Sequence, residues 1–290
     1  MEIVSQLSAA ECLARVQGVL EEDEATNNLL LGLFLRLARA PQENQGERRP
    51  FFAFTEHDGD IPFVMLMTPP RHLIVYGQGE HLDEAIDAAV GFLLQEGISP
   101  PGVIGPREVA TAFALSWQGR TGCVLNTRME QMIYRLDRVD EIAYSPGMLI
   151  QATQEHVGLV SEWMVGFAEV TLEPVDKGHA LEQAEKRISD ANLYLWHDEC
   201  PVSMAWKARP TRNGIVVSGV YTPPERRNRG YATSCVASLS QLLLDEGKKF
   251  CALYADLSNP TSNSIYQRIG YRPVQPSIVY GFDPPTAGGT

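Results

Sequence analysis

Apolar residues follow two spacings along this chain. Short apolar runs and period-two alternation predict strands, and apolar positions three and four apart predict helices. In the second half, residues 193–196 and 202–206 are apolar runs on either side of a turn-rich stretch, which predicts an antiparallel hairpin. A third, β-branched run lies at 215–221. Residues 222–230 then interrupt with two prolines, three arginines, an asparagine and a glycine. From Tyr231 the period turns helical, with Ala232, Cys235, Val236, Leu239 and Leu243 on one face and Gly247 as the stop. A short strand at 251–254, a helix at 261–269 ended by Gly270 and a last strand at 278–282 complete the half. Amphipathic helices at 154–170 and 181–191 precede it.

The first half repeats this order. Strands are predicted at 51–54, 63–67 and 72–76, then a helix at 82–96, a short strand at 103–104 and a second helix at 108–117. Amphipathic stretches at 9–20 and 26–37 lie upstream. Residues 126–136 supply a final strand of the first half, and the charged stretch 134–141 reads as a solvated strand or linker. One element order used twice with little residue identity predicts an internal duplication. The expected class is therefore α+β in two domains, residues 1–140 and 146–283, with the boundary near 139–146.

Composition narrows the function. The chain has 290 residues, 44% hydrophobic and 21% charged, which excludes a disordered or fibrous protein. A net charge of −12 argues against a nucleic-acid partner, because phosphate contacts need clustered Lys and Arg. Five scattered cysteines without a C-x-x-C pair predict neither a disulfide framework nor a metal site. The first ten residues lack the basic start of a signal peptide, and no apolar run approaches the ~20 residues of a membrane span. A cytoplasmic protein with no membrane partner is expected.

The stretch from Val220 to Thr233 carries the chemistry. A strand ends, a loop of Arg and Gly follows, and a helix begins, so unpaired amides and the positive end of the helix dipole face one place. Arg226, Arg227 and Arg229 invert the sign of an otherwise acidic chain locally. The arrangement predicts phosphate or diphosphate binding. It is neither a Walker loop nor a dinucleotide fingerprint, because Gly-Lys-Ser/Thr is missing and only one glycine is present.

Arg227-Asn228-Arg229-Gly230-Tyr231-Ala232 has the form R-x-x-G-x-A and resembles the diphosphate loop of the GNAT acetyltransferase superfamily. The approach Val220-Tyr221-Thr222-Pro223-Pro224-Glu225 is similar to that family's strand and Pro-Glu turn. Downstream, Asn259 to Tyr266 followed by Ile269-Gly270-Tyr271 resembles its Asn loop, tyrosine helix and Gly-Phe/Tyr ending. The resemblance covers about residues 148–283. It implies two GNAT-like domains, each a mixed, mostly antiparallel sheet flanked by helices. The sheet of the C-terminal one is expected to splay between its fourth and fifth strands.

The resemblance also implies roles. Acetyl-CoA is the expected acetyl donor, with no metal. Backbone amides of Arg227, Asn228, Arg229, Gly230, Tyr231 and Ala232, together with Thr233, are expected to hold the diphosphate. Val220 and Thr222 are expected to pair with the pantetheine arm, and the N–H near Val220 and Tyr221 to polarise the thioester carbonyl. Asn259, and less directly Asn263, are expected to contact the cofactor. Tyr266 matches the general acid that protonates the departing thiolate. The expected acceptor is a primary amine on a small molecule or peptide.

The sequence departs from the family at the base. Residues 215–221 hold no Glu, so deprotonation is expected to run through water to Glu169, Glu173 or the terminal carboxylate. In the first half the equivalent loop, Gly77-Gln78-Gly79-Glu80-His81-Leu82-Asp83, has no arginine, and its Glu80 and Asp83 would repel a diphosphate. That half is expected to be a degenerate copy. Two other readings stay open: a non-catalytic acetyl-CoA-binding regulatory module, and an interaction protein whose arginine loop grips an anionic partner.

Overall fold

The computed structural model describes residues 1–5, 7–39, 49–169 and 175–284. The chain divides into two compact units: Met1–Met132 with the chain end from Gln275, and Ile133–Val274.

The first unit contains β1 (Glu2–Val4), α1 (Ala9–Glu22), α2 (Asn28–Arg39), β2 (Phe51–His57), β3 (Asp60–Met67) and β4 (Leu73–Gly77). It continues through α3 (Leu82–Gln95), β5 (Gly102–Pro106), α4 (Arg107–Thr121) and most of β6 (Val124–Leu136). The second contains β7 (Met148–Gln151), α5 (Val157–Ala168), α6 (Lys177–Ser189), β8 (Leu193–Asp198), β9 (Cys200–Ala208) and β10 (Gly214–Tyr221). After these come α7 (Tyr231–Asp245), β11 (Phe250–Asp256), α8 (Pro260–Ile269) and the start of β12 (Arg272–Asp283). Strand, two helices, three strands, helix, strand, helix, strand occurs twice. The repeated order read from the apolar pattern is present.

In the first unit, β1 to β4 form an antiparallel run and β5 joins β4 in parallel, with Leu73 opposite Val103. One face buries Val16, Leu20, Leu31 and Phe34 of α1 and α2. The other buries Ala89, Val90 and Leu93 of α3 with Phe113 and Trp117 of α4. In the second unit β7, β8, β9 and β10 are antiparallel neighbours, and β11 joins β10 in parallel. Trp163 and Met164 of α5 and Ala184 and Ile188 of α6 cover one face. On α7, Cys235, Val236, Leu239 and Leu243 are fully buried, as their helical spacing requires.

The last strand corrects the sequence reading. Residues 278–282 were expected to close the C-terminal domain. Instead Ser277 to Gly281 pair antiparallel with Pro106 to Gly102, so this part of β12 completes the sheet of the first unit. The cause is visible in its side chains. Ile278 enters the α3/α4 core, and Phe282 stacks on Trp117 at 5.9 Å, extending a ring series through Phe113 and Phe63. Each such ring pair adds about 0.5–1.5 kcal/mol beyond area burial. The compact units divide at residues 132/133 and 274/275. Apolar alternation marks a strand but does not name its neighbour.

Candidate active site

The site region begins at a glycine inside β10. Its ladder with β11 runs only through Gly214, Ile215 and Val216, opposite Phe250, Cys251 and Ala252. On the other edge Ser218 faces Trp206 but Tyr221 faces Met204, so β10 spends one more residue than β9. That is a β-bulge, which bends its strand and raises its twist. Gly219 occupies it at φ +61°, and a Cβ there would lie 2.0 Å from the Trp206 ring. Only glycine fits. β10 therefore leaves β11 after Val216, and the β11-facing backbone of residues 217–221 lies outside any ladder. This is the splay expected between fourth and fifth strands.

Hydrogen bonds fix the strand beyond the bulge. The Thr222 hydroxyl donates to Ser203 Oγ at 2.9 Å, and the buried Ser203 hydroxyl donates to the Tyr221 carbonyl at 3.0 Å. Arg227 Nε donates to the Thr222 carbonyl at 3.0 Å, and its guanidinium carbon lies 6.0 Å from the Tyr221 ring centre. The Thr222 carbonyl, expected to meet the pantetheine arm, is thus engaged by the loop's own arginine. Val220 is half-buried beside the bulge.

The loop makes a 3₁₀ turn over Pro224–Arg226 and reaches left-handed backbone at Asn228 (φ 61°) and Gly230 (φ 78°). Asparagine and glycine tolerate that region best. Gly230 is the N-cap of α7, and no side chain caps the helix. The first-turn amides are therefore open to an exogenous acceptor. Arg227, Asn228, Arg229 and Gly230 are exposed, Ala232 is half-buried, and Tyr231 and Thr233 are buried. The Tyr231 hydroxyl donates to Asp198 Oδ2 at 2.6 Å, a bond that raises its phenol above the ordinary value. Tyr231 and Thr233 offer the loop their amides.

A neighbouring segment braces this loop. Ser145 Oγ donates to the Arg229 carbonyl at 2.7 Å, and the Ser145 amide donates to Ser234 Oγ at 2.8 Å. A Cβ on Gly230 would lie 2.6 Å from Ser145 Oγ. Arg226 donates to Cys200 Sγ at 3.6 Å.

Tyr266 sits on α8 between the rings of Tyr134 and Tyr271, at 6.4 and 6.1 Å. It retains 8% of its surface, and burial alone pushes its phenol up to about 12. It therefore holds its proton throughout the physiological range. Asn259 caps α8, its Oδ1 accepting from the Ser262 amide at 3.1 Å. Asn263 is differently employed. Its Oδ1 accepts from the Tyr134 hydroxyl at 2.8 Å, and its Nδ2 donates to the Asp256 and Asn259 carbonyls at 2.7 Å each. These bonds tie the Asn loop to β6 and to the end of β11. Gln267 Nε2 donates to the same Tyr134 hydroxyl at 3.2 Å.

Glu169 is the exposed C-cap of α5, and Glu173 lies outside the described residues. Among the described residues no group of three or more His, Cys, Asp or Glu is gathered, and no helix is long and apolar enough to cross a membrane. Sequence reasoning missed Ser203, Ser145, Asp198 and Tyr134, whose partners lie 18 to 129 residues away. Gly219 did leave a signal, since an isolated glycine in a strand pattern marks a bulge.

The equivalent place in the first unit is built differently. The Gln78 amide donates to the Pro62 carbonyl at 3.0 Å, and a Cβ on Gly77 would meet Leu82 Cδ1 at 2.4 Å. Asp83 and Glu84 occupy the first turn of α3. Two exposed carboxylates in that first turn oppose an anion electrostatically, where the start of α7 has arginines before it.

Comparison with known proteins agrees with this geometry. Residues 197–278 match the family model described as FR47-like protein. A Drosophila protein of known structure superposes with a TM-score of 0.65 at 12% identity, covering 98% of this chain and 99% of that one. A GCN5-related N-acetyltransferase from Sphaerobacter thermophilus gives 0.61 at 15%, covering 99% and 98%. A tandem GNAT protein from the clavulanic acid biosynthesis pathway gives 0.59 at 11%, covering 96% and 97%. No curated protein matches the chain by sequence. These likenesses show the fold, which covers nearly the whole of this chain. The segment spanning the bulged strand, the arginine loop and α8 lies within the residues that match the FR47-like model.

Proposed function

We propose that this chain is an N-acetyltransferase that moves the acetyl group of acetyl-CoA directly to a primary amine, using the second unit. The observation that carries the proposal is the parting of β10 from β11 after Val216, beside a helix start that no side chain caps. An open strand edge accepts an extended amide-bearing arm as an added strand, and uncapped amides with three arginines suit a diphosphate. The donor supplies an activated thioester.

This chain's residues do the rest. Amides of Arg227 to Ala232, with Thr233, hold the diphosphate. The N–H near Val220 and Tyr221 donates to the thioester carbonyl oxygen, where negative charge develops. The phenol of Tyr266 holds a proton for the departing sulfur. Asn263 and Gln267, through Tyr134, fix α8 so that this phenol keeps its place. Attack by the amine needs no covalent enzyme intermediate, and Cys235 and Cys251 are buried in the core. The first unit takes no donor, because its equivalent loop has no arginine and Asp83 and Glu84 in the first turn of α3 repel a diphosphate.

Titration calorimetry with acetyl-CoA tests binding. Wild type is expected to bind, Arg227→Ala more weakly and Gly230→Trp not at all. Absence of binding in wild type refutes the proposal. The raised pKa of Tyr266 makes it a weak acid and favours a second reading, an acetyl-CoA-binding module without turnover. Thiol release with an amine panel separates the two.

A further inference from the structure

The arginine loop turns one of its side chains back onto the strand edge that a donor needs. Ser203 Oγ of β9 donates to the Tyr221 carbonyl, so that carbonyl faces β9. Along an extended strand successive carbonyls face opposite edges, and the residue before a proline is held extended. Thr222 precedes Pro223, so its carbonyl faces the other edge, which β11 leaves open after Val216. Beyond it the edge ends. Pro223 and Pro224 have no N–H, and their carbonyls accept from the amides of Arg226 and Arg227 at 2.9 and 3.3 Å.

Arg227 covers that last carbonyl. Its Nε donates to the Thr222 oxygen at 3.0 Å, with the guanidinium carbon 6.0 Å from the Tyr221 ring centre. The side chain thus makes the bond that the amide of an added strand would make. The other two loop arginines are employed elsewhere. Arg226 donates to Cys200 Sγ at 3.6 Å, and Arg229 bears on the Tyr231 hydroxyl. Arg227 is exposed, its acceptor is neutral, and among the described residues no carboxylate forms an ion pair with it. A guanidinium held by one neutral carbonyl gains by moving to a phosphate, which accepts shorter, charge-assisted bonds.

We infer that the Arg227 side chain is a specificity-determining gate on the donor site: at rest it seals the Thr222 carbonyl against a pantetheine arm, and a diphosphate draws it away. The inference rests on the donor-binding reading above and deepens it. A CoA thioester brings the anion that frees the carbonyl its own arm then uses. A thioester of pantetheine alone must break the Arg227 bond with nothing to replace it. The site therefore selects CoA thioesters against the same arm without a diphosphate.

The test is titration calorimetry of the whole chain with acetyl-CoA and with S-acetylpantetheine, which has the arm and the thioester but no phosphate. Arg227→Ala is expected to move the two in opposite directions. Acetyl-CoA should bind about tenfold more weakly and S-acetylpantetheine about three- to tenfold more tightly, the worth of one hydrogen bond. Arg227→Lys should recover acetyl-CoA binding in part. Arg229→Ala removes a charge without uncovering Thr222, and should weaken acetyl-CoA without tightening S-acetylpantetheine. Saturating inorganic pyrophosphate should tighten S-acetylpantetheine in wild type and lose that coupling in Arg227→Ala. A merely structural brace would weaken both thioesters together. S-acetylpantetheine that binds Arg227→Ala no better than wild type, or pyrophosphate without effect on wild type, overturns the inference and leaves the donor reading intact. Wild type that fails to bind acetyl-CoA refutes the donor reading itself.

Discussion

Replacing Gly219 with alanine puts the origin of the parted strands under direct test. Two penalties add. A left-handed φ of +61° costs an alanine roughly 1–2 kcal/mol. Its methyl would also lie 2.0–2.1 Å from three atoms of the Trp206 ring. That ring is hemmed by Phe167 at 5.7 Å and Arg187 at 4.4 Å, so relief must come from the backbone, at about 1–3 kcal/mol. The sum is about 2–5 kcal/mol. With a urea m-value of about 2 kcal/mol/M, the denaturation midpoint should fall by about 1–2.5 M. Acetyl-CoA affinity should fall with it, because the backbone shift moves the strand edge. Gly18→Ala is the control: Gly18 lies within α1 with no atom within 4 Å of the new methyl, and alanine there should stabilise by up to about 1 kcal/mol. A Gly219→Ala midpoint within about 0.3 M of wild type, with unchanged affinity, would refute the claim that this glycine sets the splay.

Other outcomes follow from the same geometry. Tyr266→Phe should lower kcat by about 10²–10⁴ while leaving KM for acetyl-CoA nearly unchanged; steady-state kinetics decide, and an unaltered kcat removes the acid assignment. Because burial raises the Tyr266 phenol from the ordinary 10 to about 12, its contribution to stability is intact below pH 10 and is lost as pH climbs toward 12. Urea denaturation across that window should show a loss of about 2–3 kcal/mol from this group, and less in Tyr266→Phe. Asn263→Ala removes three hydrogen bonds, one to β6, one to the end of β11 and one to the cap of α8, and should cost about 2–4 kcal/mol by denaturation. A cost below about 0.5 kcal/mol contradicts its role as a tie.

Local features were legible in the sequence, and long-range partnerships were not. Helical spacing placed α7 to within a residue or two, because Gly230 and Gly247 punctuate it and its buried face is regular. The arginine loop stood out by its sign. β1 and β7, with three and four residues, are too short for alternation to show. The start of α6 was read four residues late, since Asp176, its true cap, bonds the His179 amide ahead of a polar first turn. The destination of β12 depends on Phe282 meeting Trp117, which no local pattern encodes. Asn263 matched a cofactor position by motif, yet its bonds go to Tyr134, Asp256 and Asn259. Motif spacing identifies which residue type occupies a place; it does not say which of its hydrogen bonds are already taken.

The central claim is that one loop and one strand edge in the second unit receive the donor. Hydrogen exchange measured with and without saturating acetyl-CoA tests it most directly. The account predicts slowed exchange at the amides of residues 228–233 and 217–221, with residues 77–83 unchanged. Protection at 77–83, or none at the arginine loop, would contradict it.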